Sequence, residues 1–103
     1  MYSVVHQLTP KPECREDFEG LLKEMATMFE RVDGFVAHQL LRPRKNGNPY
    51  FAFTVWKDQE ACKAWMKTAQ AKLHLHPKFR DFDKMNAAAP FEGFYDDVVT
   101  LHG

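Results

Sequence analysis

The sequence predicts an α+β fold of the ferredoxin-like kind, β-α-β-β-α-β, an antiparallel sheet with both helices on one face. The prediction rests on a long apolar stripe at helical spacing, on stretches of β-branched and aromatic residues before and after it, and on an Asn-Gly reversal between two of those stretches. With 103 residues, 45% of them hydrophobic, the chain suits one small domain over residues 1–103 with a single core.

Residues 2–9, YSVVHQLT, carry enough β-branched and aromatic side chains for a first strand, and the prolines of TPKP end it because proline cannot donate to a ladder. From Glu13 to Val32, the residues Phe18, Leu21, Leu22, Met25, Met28, Phe29 and Val32 recur three and four apart, the signature of a first helix. Glu13, Glu16 and Asp17 favour its N-terminus through the dipole, and Gly34 offers the left-handed residue on which many helices end. FVAHQLLR (35–42) and YFAFTVW (50–56) read as a hairpin closed by PRKNGNP. Asp58 is a good N-cap for a second helix through DQEACKAWMK that runs toward Pro77, where proline restricts His76 and marks an end or a kink. Residues 78–90 carry no clear pattern, and FEGFYDDVVTLHG alternates as a last strand from near Phe91.

The third strand is apolar on both sides, Phe51, Phe53 and Val55 on one and Tyr50, Ala52 and Trp56 on the other. Helices on one face leave the other side to water, so a homodimer packed sheet against sheet is expected. The formal net charge is zero with acids and bases interspersed, which gives no basic stripe for nucleic acid and no polybasic run for a membrane. MYSVVHQLTP has neither a basic segment followed by an apolar one nor the start of a membrane span, so a cytoplasmic location is expected. Cys14 and Cys62 stand apart without CxxC spacing, which argues against a zinc site or a disulfide framework, and no Gly-rich fingerprint marks a flavin or nicotinamide site.

Five histidines and the stretch AWMKTAQAKLHLHPKF (64–79) are the candidates for chemistry. Taken alone, Trp65 at helical spacing from Ala61 and Ala69 is a core residue covering the sheet, and a histidine on a mixed helix is hydrated or hydrogen-bonded. His6, between Val4 and Leu8 on one strand face, reads equally as a satisfied buried histidine or as pocket lining. His38 and His102 read as surface or dimer-rim residues, and Arg42, Arg44 and Lys45 as solvated charges beside the hairpin.

GFVAHQLLRP, YFAFTVW and DQEACKAW resemble a strand, a strand and a helix of the antibiotic-biosynthesis-monooxygenase (ABM) superfamily, most closely its IsdG-type haem-degrading monooxygenases. The order of elements matches from residue 2 to about residue 101, and the spacing from Gly34 through Trp56 to Trp65 fits without a gap. The resemblance implies a dimeric α+β barrel built from two such sheets, oxygenation as the reaction, and haem as both substrate and cofactor between sheet and second helix. In the haem-degrading members an Asn on the first strand, a Trp on the second helix and a His further along it form the pocket.

By that resemblance Trp65 matches the Trp that contributes to porphyrin ruffling, and His74 matches the iron ligand by spacing. The Asn position falls on His6, whose neutral imidazole can donate as the amide does but can also ligate iron, blocking oxygen and leaving a haem carrier. His76 competes with His74, because at about 100° per residue it lies near the Trp65 face of an unbroken helix while His74 points away. A kink before Pro77, as in the family, favours His74. The expected catalytic residues are therefore His6 and Trp65, the haem contacts His74, His76 and Trp65, and the metal ligand His74; Arg42, Arg44 and Lys45 could meet propionates, but a solvated loop is the preferred reading of that charge run. Two classes of function stay open. One is a monooxygenase, acting on haem or, without a cofactor, on a quinol-like or small aromatic substrate; the other is a haem-binding module without turnover.

Overall fold

The computed structural model describes residues 1–68 and 82–103. Among these the chain forms β1 (Tyr2–Leu8), α1 (Arg15–Ala26), β2 (Phe35–Leu41), β3 (Tyr50–Trp56), α2 (Gln59–Met66) and β4 (Phe91–Asp96). The strands make one four-stranded sheet in the order β2-β3-β1-β4 with every neighbouring pair antiparallel, the ferredoxin-like topology expected from the sequence. No helix among the described residues is long and apolar enough to cross a membrane.

The first helix is shorter than its apolar stripe. A 3-10 turn over Pro12–Cys14 leads into α1, and a second over Thr27–Phe29 ends it, so Met28, Phe29 and Val32 lie beyond the α-helical part. The chain turns back through Arg31, at φ 66, not through Gly34. Gly34 is needed for a different reason: at φ 80 it brings the start of β2 against α2, and a Cβ there would collide with the Ala61 side chain. Its carbonyl accepts from the backbone N–H of Lys57 at 2.7 Å, which ties the start of β2 to the end of β3.

Other local signals act as the sequence implies. Gly47 takes φ 92 in the hairpin, and Asp58 caps α2 by accepting from Ala61 N at 2.9 Å. Residues Phe82–Met85 form a 3-10 turn whose neighbour Asn86 bridges to Pro10. The last strand stops at Asp96, short of the expected run, and leaves Val98, Val99 and Leu101 exposed. The approach of α2 to Pro77 lies outside the described residues.

Alternation along β3 separates the two sheet faces: Tyr50, Ala52, Thr54 and Trp56 are buried while Phe51, Phe53 and Val55 are only partly so. Register puts Val4, His6 and Leu8 of β1, and Glu92 and Phe94 of β4, on the helix-covered face with them. In β2 the register shifts between Phe35 and Ala37, so Phe35 opposes Trp56 and His38 opposes Thr54, both on the covered face.

The core on that face is divided. One cluster joins Val4, Phe29, Trp56 and Cys62, with Phe35 and Trp65 packed against it. The other joins Leu8, Phe18, Leu22 and Tyr50, with Met25, Leu40 and Phe82 at its margin. Phe18 is fully buried between the Tyr50 and Phe82 rings, at centroid distances of 5.4 and 5.2 Å. Each such aromatic contributes about 1.5–3 kcal/mol through burial. Between the clusters the covered face is small or polar midway along the strands, with Ala52, Thr54 and His6 on the central strands and His38 and Glu92 on the two edge strands.

Candidate functional site

A cavity of about 260 Å³ opens over that middle region, between the sheet and the layer formed by α1, α2 and the turn at Phe29. Its existence follows from the sequence of β3, where alanine and threonine stand between Tyr50 and Trp56. Side chains that short cannot fill the gap between helix and sheet that the flanking rings set. The walls are aromatic: Trp65 lies 4.8 Å from the Phe29 ring and 5.8 Å from Trp56, centroid to centroid. The indole Nε1 of Trp65 is buried without a hydrogen-bond partner among the described residues.

Two imidazoles line the floor. His6 Nε2 meets Glu92 Oε2 at 2.7 Å across the β1–β4 pairing. With the Glu92 carboxylate as acceptor, Nε2 is assigned as the donor, which leaves Nδ1 without a hydrogen-bond partner among the described residues. His38 Nδ1 meets the Thr54 hydroxyl at 2.9 Å, and its ring stacks on Phe29 at 5.1 Å. Burial, and secondarily the nearby His6, hold His38 below the ordinary histidine range. Cys62 of α2 is buried, and burial, with the charge of Glu92, pushes its thiol up, away from the reactive thiolate.

Of the residues the sequence singles out, His6 and Trp65 line one cavity, while His74 and His76 lie outside the described residues. His38, expected at the surface or a dimer rim, instead faces the cavity; the β2 bulge carries it there, and strict alternation from Phe35 would have turned it to the other side. Arg42 is engaged away from the cavity. Its Nε and Nη2 donate to Glu19 of α1 at 2.7 and 2.5 Å, and Tyr50 donates its hydroxyl to the same carboxylate. Those bonds, with Arg42 first, hold Glu19 down at about 2. His102 is exposed.

This arrangement can bind a flat apolar molecule against aromatic walls, hydrogen-bond its oxygen atoms, and take a proton from it. The comparisons with known proteins agree on the architecture. "Deoxynogalonate monooxygenase" of Streptomyces nogalater is 42% identical over 45 residues, 44% of this chain and 38% of that protein. "Heme oxygenase (mycobilin-producing)" of Mycobacterium tuberculosis is 34% identical over 58 residues, 56% of this chain and 55% of that one, so the matched segments span about half or less of these relatives. Among solved structures, SnoaB, a cofactor-independent oxygenase from Streptomyces nogalater, superposes with a TM-score of 0.77 at 26% identity over 97% of this chain and 95% of that one. The heme-degrader MhuD from Mycobacterium tuberculosis with two hemes bound superposes at 0.75 and 21% identity over 99% and 100%, a likeness of fold. With the family model matched over residues 1–82, the chain belongs to the antibiotic biosynthesis monooxygenase family.

Proposed function

We propose that the protein is a monooxygenase that takes a small fused-ring aromatic substrate into the cavity between sheet and α2 and oxygenates it without a cofactor. The observation that carries the reading is the His6–Glu92 pair on the floor of an aromatic-walled cavity. A carboxylate that fixes one imidazole nitrogen leaves the other as a general base, the logic of the catalytic triads without their nucleophile. The substrate it suits carries an acidic methylene or phenol beside a carbonyl. His6 Nδ1 takes the proton, Glu92 steadies the imidazolium, and the electron pair stays on the ring system, from which oxygen can accept electrons. Overall, a substrate methylene and one molecule of dioxygen give a ring carbonyl and one molecule of water. Both C–H bonds break, one oxygen atom enters the carbonyl and the other leaves as water with both hydrogens. All electrons come from the substrate, and no external reductant is needed.

Haem is the second reading, favoured by Trp65 on the cavity wall and by the 34% match to a heme oxygenase. The described lining fits it less well. About 260 Å³ lies below the usual range of small-molecule pockets, ~300–1,000 Å³, and a porphyrin needs more than a small fused-ring system. If haem is bound it would supply iron for oxygen chemistry, with His74 as the proposed ligand and Trp65 against the macrocycle.

The open sheet face carries Phe51, Phe53, Val55, Leu41 and Tyr95 with no helix over them among the described residues, and Leu41 and Tyr95 are 39% and 48% exposed. A second copy packed there, sheet on sheet, would remove that apolar surface from water, and sedimentation should give the mass of a dimer.

Oxygen uptake by the purified protein, treated with a chelator and supplied with dithranol, a dihydroxyanthrone, tests the first reading. Uptake of one oxygen per quinone formed is the expected result. Saturable hemin binding followed by bleaching with ascorbate in air, without dithranol oxidation, would replace it with the second.

A further inference from the structure

We propose that His38 is the hydrogen-bond donor that holds the substrate's carbonyl or phenolate oxygen, acting through a neutral Nε2–H imidazole whose tautomer is fixed by Thr54. The proposal rests on the aromatic-oxygenation reading and assigns the second imidazole of the same cavity.

Thr54 sets the tautomer. It is 5% exposed, and its hydroxyl has one hydrogen-bond partner among the described residues, His38 Nδ1 at 2.9 Å. Were Nδ1 to donate, the hydroxyl hydrogen would be buried without an acceptor, which costs about 1–3 kcal/mol. The hydroxyl therefore donates to Nδ1, and the ring proton sits on Nε2. The ring itself is held by the stack on Phe29. Between the two imidazoles stands Ala52, the β3 residue paired with His6 and two positions from Thr54, so only a methyl group separates their neighbourhoods.

The titratable groups around the cavity, among the described residues, are His6 on β1, Glu92 on β4 and Cys62 on α2, and they favour a neutral His38. Burial first, and the neighbouring His6 second, hold it below the usual histidine range, and Glu92, the one carboxylate among them, is taken up by His6. The two histidines thus hold opposite partners. His6 is backed by an acceptor and offers a free basic nitrogen; His38 is backed by a donor and offers an N–H. A neutral imidazole donating to an oxygen that gains charge as a neighbouring proton leaves is an efficient electrophile, because the hydrogen bond strengthens as the anion forms. Proton removal by His6 breaks a substrate C–H or O–H bond and forms N–H, and the pair left behind delocalises onto the oxygen that His38 holds.

Two measurements test this. Imidazole 15N NMR of the ligand-free protein near neutral pH should show His38 as the Nε2–H tautomer, and Thr54→Val should shift it toward Nδ1–H. An Nδ1–H tautomer in the unaltered protein would overturn the proposal. Anaerobic titration with dithranol, followed by the visible absorption of its anion, should show the bound probe ionised. His38→Leu should weaken capture of the anion by about tenfold or more, while His38→Gln, which keeps an N–H donor, should stay within a few-fold of the original. Equal loss in both variants would reduce His38 to a packing role and overturn the assignment, as would undiminished capture in His38→Leu. Anaerobic ionisation without oxygen uptake in air would sink the oxygenase reading and leave the role of His38 standing; no binding of the probe would sink both.

Discussion

The two ends of the helix-covered sheet face and its middle are built from the same strands, yet they do different work. At one end Phe18, Tyr50, Leu8 and Leu22 close into a cluster, and at the other Trp56, Val4, Phe29 and Cys62 do the same. In the middle, one residue from each of β1 and β2 is histidine, β4 gives Glu92, and β3 gives alanine and threonine. The ends contribute the apolar burial that holds helix to sheet, and the middle gives up such burial for a cavity. A small domain has little stability to spare, so a core left open at its centre points to selection for the space.

That contrast can be broken from either side. The largest effect on stability should come from Phe18→Ala, which empties a fully buried ring site and should cost about 3–5 kcal/mol by urea denaturation. In the middle, His6→Gln should leave denaturation midpoints nearly unchanged while lowering kcat for dithranol oxidation about 10²–10⁴-fold, the worth of a general base. Loss of stability without loss of turnover would reverse the assignment. Asp58→Ala removes the cap of α2 and should cost about 1 kcal/mol, since one backbone N–H of the first turn loses its acceptor.

The smallest differences are in acid, and they separate the two regions by window. His38 in the middle is held below its unfolded value of 6.5, so the unfolded chain binds the proton more readily and stability falls as pH drops below 6.5. Glu19 at the rim is held at about 2 against an unfolded 4.5, so its contribution is complete above 4.5 and is lost as pH falls toward 2. His38→Gln should flatten the first limb and Glu19→Gln the second, as followed by thermal midpoints against pH.

Much of the fold could be read from residues alone. Alternation in YFAFTVW, the Asn-Gly turn and the Asp58 cap all act in the structure as their chemistry implies. The end of α1 could not be read, because one turn of 3-10 helix carries the same three-residue spacing as an α-helix and places Phe29 on the same side. His6 was legible as a polar residue between Val4 and Leu8, whereas His38 was not. Its face depends on the bulge between Phe35 and Ala37, and period-two counting from Phe35 puts it on the wrong side. Glu92 escaped for a related reason: its partner is a long-range neighbour that only strand order brings to His6.

The central claim is that the space in the middle of the covered face is the reaction site. Ala52→Leu tests it most directly, because it fills the floor of the cavity from a residue with no polar role. Oxygen uptake with dithranol, measured beside the thermal midpoint, should fall by about tenfold or more while the midpoint holds or rises. Turnover equal to that of the unaltered protein, with the larger side chain in place and the fold intact, would contradict the account.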